Sequence, residues 1–336
     1  MAKQNFLCSL AMFASFFALG VIALGAFTRL IDAGLGCPDW PGCYGHLVAP
    51  LKNSADLANP IVAYKAWAEM VHRYFVGALS LLILTIILTV ASQKKYRTCA
   101  NGLLALGLIM LLVYQILLGQ WTVTQKLLPM IVSQHLLGGF LILAVLWLVY
   151  LTNNTSLKNQ LPPIATGHLR TGAVIALMMV LVQIALGAWT STNYASFSCA
   201  DFPLCMNDQS MVWHFKQAYD FTAPVGVNYE GGVLPESIRQ TIQMTHRLGA
   251  LILTIYLVLF VALAARKVKK SWSLLQSLLL IIGLLCLQLC IGITNVIFKL
   301  PLLAAISHNL VAVLLLLAVI TVIFKLTVTA HKVAAV

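Results

Sequence analysis

The sequence predicts an all-α, polytopic membrane protein: eight transmembrane helices arranged as two tandem four-helix bundles with pseudo-twofold symmetry. Three observations carry this. The 336 residues are 61% hydrophobic and only 9% charged, where soluble globules carry about 25% charged residues. Cations crowd into alternate connections between the apolar runs. And the first half of the sequence recurs, in order, in the second.

Continuous apolar runs lie near 7–28, 66–91, 101–123, 131–152, 169–190, 240–265, 272–297 and 303–326. Each is long enough to span a bilayer, which takes roughly 20 residues. A barrel would need short alternating strands instead. The first run follows Lys3 and has the outline of a signal peptide. Its repeat argues that it stays. Ala23-Leu24-Gly25-Ala26-Phe27-Thr28 reappears 162 residues later as Ala185-Leu186-Gly187-Ala188-Trp189-Thr190, well inside the chain.

The repeat continues through each half. Cys37, Asp39, Pro41 and Cys43 recur at the same offset as Cys199, Asp201, Pro203 and Cys205. Met70-Val71-His72-Arg73 pairs with Met244-Thr245-His246-Arg247 at 174, and Gln115, Gly119 and His135 pair with Gln288, Gly292 and His308 at 173. The units divide near Leu161-Pro162-Pro163, where consecutive prolines break a helix. That gives an N-terminal half over 1–160 and a C-terminal half over 161–336. Four spans per unit preserve direction, so the repeats have parallel topology.

With the N-terminus inside, the inner segments hold Lys3, Lys94, Lys95, Arg97, Lys158, Arg170, Arg266, Lys267, Lys269, Lys270, Lys325 and Lys332, and no acid. All nine acids (Asp32, Asp39, Asp56, Glu69, Asp201, Asp208, Asp220, Glu230 and Glu236) fall outside, where nine cations balance them. The net charge of +12 is therefore the positive-inside bias. It does not point to nucleic acid. The expected setting is a cytoplasmic (inner) membrane, multi-pass, with both termini cytoplasmic. The two long connections, near 29–65 and 191–239, are then outer loops, and long loops are often functional.

Four histidines sit at matching places, each near the outer end of its apolar run: His72, His135, His246 and His308. The second and fourth spans of a unit run in the same direction, so His72 and His135 share a depth, as do His246 and His308. Two imidazoles facing each other at equal depth in a four-helix bundle are what a six-coordinate heme needs. Gly77, Gly138, Gly139 and Gly249, a few residues further in, offer room for a flat macrocycle. A hydrogen-bonded packing role is the usual fate of a lone intramembrane histidine, but four in repeat register argue against it. Zinc would want a tighter set with thiolate or carboxylate. His46, His168, His214 and His331 fall in loops or at helix ends and break the pattern.

Glu69 lies three residues before His72, on the same helix face, and an ionisable group at membrane depth is a functional candidate. Its repeat mate is Gln243, which keeps the shape but not the titratable proton. That difference suggests one reacting site and one auxiliary site. Glu69 can equally pair with Arg73, four residues on. The cysteine pairs Cys37/Cys43 and Cys199/Cys205 lie in the outer loops, where an oxidising compartment favours a disulfide in each. The second is expected to be a structural staple; for the first, structural and redox roles stand level. Cys286 and Cys290, one turn apart, are expected to be apolar packing.

Gly25-Ala-Phe-Thr-Arg29, Gly34-Leu-Gly-Cys-Pro-Asp-Trp-Pro41, Glu69-Met-Val-His-Arg73, Gln134-His135, Thr245-His-Arg-Leu-Gly249 and Ser307-His-Asn309, in this order, resemble the heme A synthase family over essentially the whole chain. The resemblance implies an oxidoreductase that converts the C8 methyl of heme O to a formyl, giving heme A for terminal oxidases. It implies that His72 and His135 hold the substrate heme, with Glu69 the catalytic carboxylate. His246 and His308 would hold a resident heme b that relays electrons, both sites lying toward the outer, periplasmic side. Mitochondrial members lack the loop cysteines, so a disulfide is not essential to the chemistry in every member.

Iron with two histidine ligands has no open position for O2, which favours withdrawal of electrons from the macrocycle and oxygen supplied by water. Two rivals from other classes are a quinone-linked bis-heme electron-transfer protein and a heme carrier or chaperone. The contrast of Glu69 with Gln243 favours the enzyme. The electron acceptor (a quinone is one option), contact with a heme O synthase and homo-oligomerisation stay open. The lipid bilayer is the one partner composition requires.

Overall fold

In hydrocarbon no water is available to backbone amides, so a spanning segment must satisfy them internally. The computed structural model describes residues 6–53, 61–162, 167–199, 201–205, 212–269 and 271–334. Of the residues weighed above, Lys3, Asp56, Pro163, Asp208 and Lys270 lie outside that set, as does the side chain of His331. The helices are α1 (Phe6–Leu30), α2 (Ala63–Ser92), α3 (Cys99–Thr124), α4 (Pro129–Asn153), a short α5 (Thr155–Gln160), α6 (Gly167–Thr192), a single turn α7 (Phe215–Ala218), α8 (Glu236–Lys267), α9 (Trp272–Ile297) and α10 (Leu302–Ala334). Among the described residues, all but α5 and α7 are long and apolar enough to cross a membrane, and there is no strand, only an isolated bridge between Cys43 and His46.

Local chemistry sets the helix ends. Pro129 opens α4 in its first turn, where the missing N–H is not needed. Thr98 caps α3 by accepting from the Asn101 amide at 3.2 Å. Glu236 opens α8, and Arg266 and Lys267 close it, matching the helix dipole at both ends.

The packing follows one pattern twice. In the first half α1 and α3 each contact both α2 and α4, which leaves α2 and α4 diagonal to one another. In the second half α6 and α9 each contact both α8 and α10, with α8 and α10 diagonal. Between the halves, α1 meets α10, α6 meets α4, and α4 meets α10. Exchanging α1 with α6 and α4 with α10 maps this set onto itself, as a pseudo-twofold relation requires. The spanning window of α10 is 61% buried and that of α3 only 22%, so α10 runs through the middle and α3 along the rim.

Apolar side chains gain little by leaving lipid for protein, so small residues that let backbones approach carry much of the packing. Ala11 and Ala14 of α1 are fully buried, and so are their repeat mates Ala173 and Ala176 of α6. Polar contacts then join the halves along their length. At the end that carries the two long loops Arg29 donates to the Ser191 carbonyl at 2.8 Å and lies 4.0 Å over the Tyr194 ring, whose hydroxyl donates to Asp32 at 2.7 Å. Arg29 and Ser191, like Asp32 and Tyr194, are repeat mates. Within the spanning helices Trp147 Nε1 donates to Thr321 at 2.9 Å, and at the end opposite the long loops Lys332 donates to the carbonyls of Lys158 and Leu161 at 2.7 Å each.

Cys286 and Cys290 are exposed on α9, on the surface that meets lipid, rather than packed in the interior as expected. Their one-turn spacing puts them on one face, but periodicity does not say which face.

Candidate heme-facing histidines and the glutamate loop

Each of the four histidines sits in a notch cut by a glycine of the helix before it. A Cβ on Gly25 (α1) would lie 2.9 Å from His72 Cε1, and one on Gly119 (α3) 3.4 Å from His135 Cε1. In the second half, a Cβ on Gly187 (α6) would lie 3.0 Å from His246 Cε1, and one on Gly292 (α9) 3.2 Å from His308 Cε1. Nearly all of these are tighter than an ordinary methyl contact, so the absent side chain is what admits the ring. Of the four glycines expected to make room, three lie beside glutamine side chains and Gly77 leaves open space. Gly138 and Gly249 abut the side chains of Gln115 and Gln183, and Gly139 is near Gln115.

All four histidines are half-buried. Nδ1 of His72, His135 and His308 is sealed from solvent without a partner, and Nδ1 of His246 lies 3.0 Å from Gln183 Nε2; no Nε2 of the four is orphaned in the same way. His72, His135 and His246 thus set Nδ1 against the wall, whereas His308 has its Nε2 3.2 Å from Gln288 Nε2. His72 and His135 stand on the diagonal pair α2 and α4 of the first bundle, and His246 and His308 on the diagonal pair α8 and α10 of the second. A bare metal ion would want more donors than two, and no group of three or more His, Cys, Asp or Glu comes together among the described residues. A macrocycle that brings four nitrogens of its own needs only such a pair. The donor sets and the notched walls fit heme.

The segment Met70-Val71-His72-Arg73 distributes its side chains on three sides. Met70 packs with Cys37, Cys43, Ala49 and Ala66 beneath the outer loop, and His72 turns to the Gly25 notch. Arg73 reaches back, its Nη1 donating to the carbonyls of Asp39 (3.1 Å), Pro41 (3.2 Å) and Gly42 (2.6 Å). The loop can lie this close because Gly36 is against the α2 backbone: a Cβ there would be 2.6 Å from the Lys65 carbonyl. Asp39 turns the loop by accepting from the amides of Tyr44 (2.6 Å) and Gly45 (2.8 Å). Burial, then the charges of Asp39 and Glu69, push the Tyr44 phenol above its usual range. Cys37 and Cys43, both fully buried, are at bonding distance, with sulfurs 2.02 Å apart.

The second half repeats this frame. Arg247 Nη1 donates to the carbonyls of Asp201 (2.7 Å) and Pro203 (3.2 Å), Met244 packs with Cys199 and Cys205, and the two sulfurs are 2.11 Å apart.

Glu69, 5% exposed, is held at both oxygens. One pairs with Arg73 Nη2, and the other accepts from the Cys37 amide at 2.9 Å. Pairing with Arg73 and a place beside the His72 site are thus compatible. At the equivalent position Gln243 is as buried, but its Oε1 has no partner, and Arg247 Nη2 turns instead to the Cys199 carbonyl at 2.9 Å. Of the remaining histidines, His46 and His168 are exposed and His214 is half-buried in the outer loop.

Sequence reasoning missed the notch glycines and the loop-anchoring role of Arg73 and Arg247. A signal for the first was present: Gln115, Gln183 and Gln288 each stand four residues before a notch glycine, a recurring Gln-x-x-x-Gly.

A family model described as cytochrome oxidase assembly protein, COX15-CtaA, matches residues 9–320. The chain is 40% identical over 317 residues to the heme A synthase of Shewanella oneidensis, covering 91% of this chain and 92% of that protein. It is 27% identical over 324 residues to the heme A synthase of Chelativorans sp. (88% and 84% covered) and 24% identical over 316 residues to that of Bacillus cereus (91% and 89%).

Proposed function

The chain belongs to the COX15-CtaA family of cytochrome oxidase assembly proteins, and from that premise we propose a division of labour between its halves. The activity is that of a heme A synthase, an oxidoreductase that converts heme O to heme A within the membrane. In the reading proposed here, His72 and His135 hold the substrate heme O, and His246 and His308 hold a resident heme b. When bound, that resident heme supplies a one-electron redox centre. The observation that carries the assignment is the contrast at one position of two otherwise matching frames. A carboxylate with two donors stands one turn before His72, and an amide whose oxygen has no partner stands one turn before His246.

Turning a methyl into a formyl with water as oxygen source releases four protons and four electrons, and the electrons pass to an external acceptor of the quinone class. Removing electrons and a proton from the C8 methyl of the substrate leaves a cationic carbon. Glu69 is the buried anion on the His72 face of α2, suited to stabilise that charge and to take the proton. Arg73 and the Cys37 amide each use one lone pair of its oxygens, and a carboxylate has others to offer. Water adds to the carbon, and a second round gives a hydrated aldehyde that collapses to the formyl. The outer-loop cysteine pairs are read as disulfides, and the sites as lying toward the periplasmic side of an inner membrane.

The test is to supply heme O to cells lacking their own synthase, express this chain, extract the hemes and weigh them. Hydroxylated and formylated products are expected. Unaltered heme O alone, from well-expressed protein, would sink the assignment as an enzyme.

A further inference from the structure

Three of the four histidines have a glutamine against them, from the helix that also supplies the notch. Gln115 Nε2 donates to the His135 carbonyl at 2.8 Å, and Gln288 Nε2 lies 3.2 Å from His308 Nε2, so neither meets an Nδ1. Gln183 does both, reaching the His246 carbonyl and Nδ1 at 3.0 Å each. The fourth position in this register is Val21, four residues before Gly25 and 162 before Gln183. Val21 is 6% exposed and has no polar side-chain atom. On that side His72 meets the Val21 main-chain carbonyl, an acceptor shared with the α1 helix, and no side-chain amide from Val21.

The Oε1 atoms of Gln115, Gln183 and Gln288 are all buried without a partner. A neutral imidazole that gives Nε2 to iron must carry its hydrogen on Nδ1, and ligating histidines almost always pass that hydrogen to an acceptor that fixes the ring. A half-turn of the Gln183 amide gives up its bond to the His246 carbonyl and exchanges Nε2 for Oε1 beside His246 Nδ1. The same side chain can thus donate to the bare nitrogen and accept from the protonated one.

We infer that Gln183 is a positioning residue that fixes His246 as a permanent ligand, while Val21 leaves His72 without a side-chain brace, so that the first site lets its heme go. This rests on the proposed reading that the histidine pairs hold heme. It adds a physical reason for one site to retain and the other to exchange, as a site whose heme is substrate and then product must.

The test uses the full chain in detergent with its bound hemes, following transfer to excess apomyoglobin together with the low-spin EPR signal and midpoint potential of the resident heme. Gln183→Leu should weaken retention of the resident heme by ~10–100-fold, the usual effect of losing such a partner, and shift its EPR signal. Gln183→Glu, which keeps an acceptor, should restore retention and lower the potential. Val21→Gln should slow release from the first site by about tenfold. Wild-type retention and spectrum in Gln183→Leu would overturn the inference, as would unchanged release from an assembled Val21→Gln protein. If Val21→Gln does not assemble, the Gln183 pair of variants decides. His246→Ala separates the two levels. If that variant keeps its resident heme, the reading of the sites falls; if it loses the heme while Gln183→Leu does not, only this inference falls.

Discussion

The two halves carry the same frame and differ at the points where chemistry would act. In both, a methionine packs under a cysteine pair, a histidine enters a glycine notch, and an arginine ties the outer loop to its helix. Within that frame Glu69 stands against Gln243 and Val21 against Gln183. The arginine's second amino group follows the first difference, going to a carboxylate in one half and to the Cys199 carbonyl in the other. A duplicated scaffold has thus been divided by a few side chains. The half with the carboxylate has no side-chain brace from Val21 on His72; the half with the Gln183 brace on His246 has no carboxylate.

The largest effect should come from erasing the first difference. Glu69→Gln makes the first site match the second with little change of volume. It should keep the fold and the resident heme while losing conversion of heme O by ~10²–10⁴-fold, the range for a general base. Heme O should accumulate in place of heme A in cells making the variant. Normal heme A output from well-expressed protein would reduce Glu69 to a structural partner of Arg73.

Next come the notches, which should fail separately. Gly25→Ala brings a methyl to 2.9 Å from His72 Cε1, and Gly187→Ala to 3.0 Å from His246 Cε1. Overpacking of this kind costs about 1–3 kcal/mol, so each variant should lose heme from its own site and keep the other. Gly20→Ala is the control on α1, since a Cβ there meets nothing within 4 Å. Quantifying hemes b and O per purified protein checks all three. Loss of both hemes from either notch variant would mean that the halves are not independent containers.

The loop cysteines sharpen the comparison by timing. In protein isolated without reductant, thiol labelling should find both pairs closed, and reduction should open them. Readily labelled thiols at Cys37 and Cys43 but not at Cys199 and Cys205 would put a redox role in the half that already carries Glu69.

Much of this was legible in the sequence because it depends on distances along one chain. The eight spans follow from run length and charge placement, and the histidine quartet from repeat register. What was not legible depends on how one helix meets the next. Gly138 and Gly249 lie beyond a histidine on its own helix, which suggested room for a macrocycle; the structure fills that space with Gln115 and Gln183. The ring-admitting glycines come from the preceding helix, and nothing in a helix's own periodicity says which neighbour it faces. The same limit hid the exposure of Cys286 and Cys290. The reach of Arg73 and Arg247 back to the loops depends on a fold-back between segments some thirty to fifty residues apart.

The smallest expected effect concerns the seam. If the halves are independent containers, they should be joined by many weak contacts rather than by one critical bond. The contact Trp147 Nε1 to Thr321 at 2.9 Å is flanked by Arg29 at the end with the long loops and Lys332 at the opposite end. Trp147→Phe removes that hydrogen bond and keeps an aromatic ring between α4 and α10. Interhelical hydrogen bonds in membranes are worth about 0.6 kcal/mol on average and about 1.7 at most, because the separated helices find other partners. The variant should therefore lower thermal stability in detergent only slightly and leave both hemes in place. A loss well beyond about 2 kcal/mol, or release of heme from both sites at once, would show that the seam concentrates its energy at that contact. In that case the two sites would be coupled through α4 and α10, and the assignment of holding to one half and reacting to the other would have to yield to a single shared core.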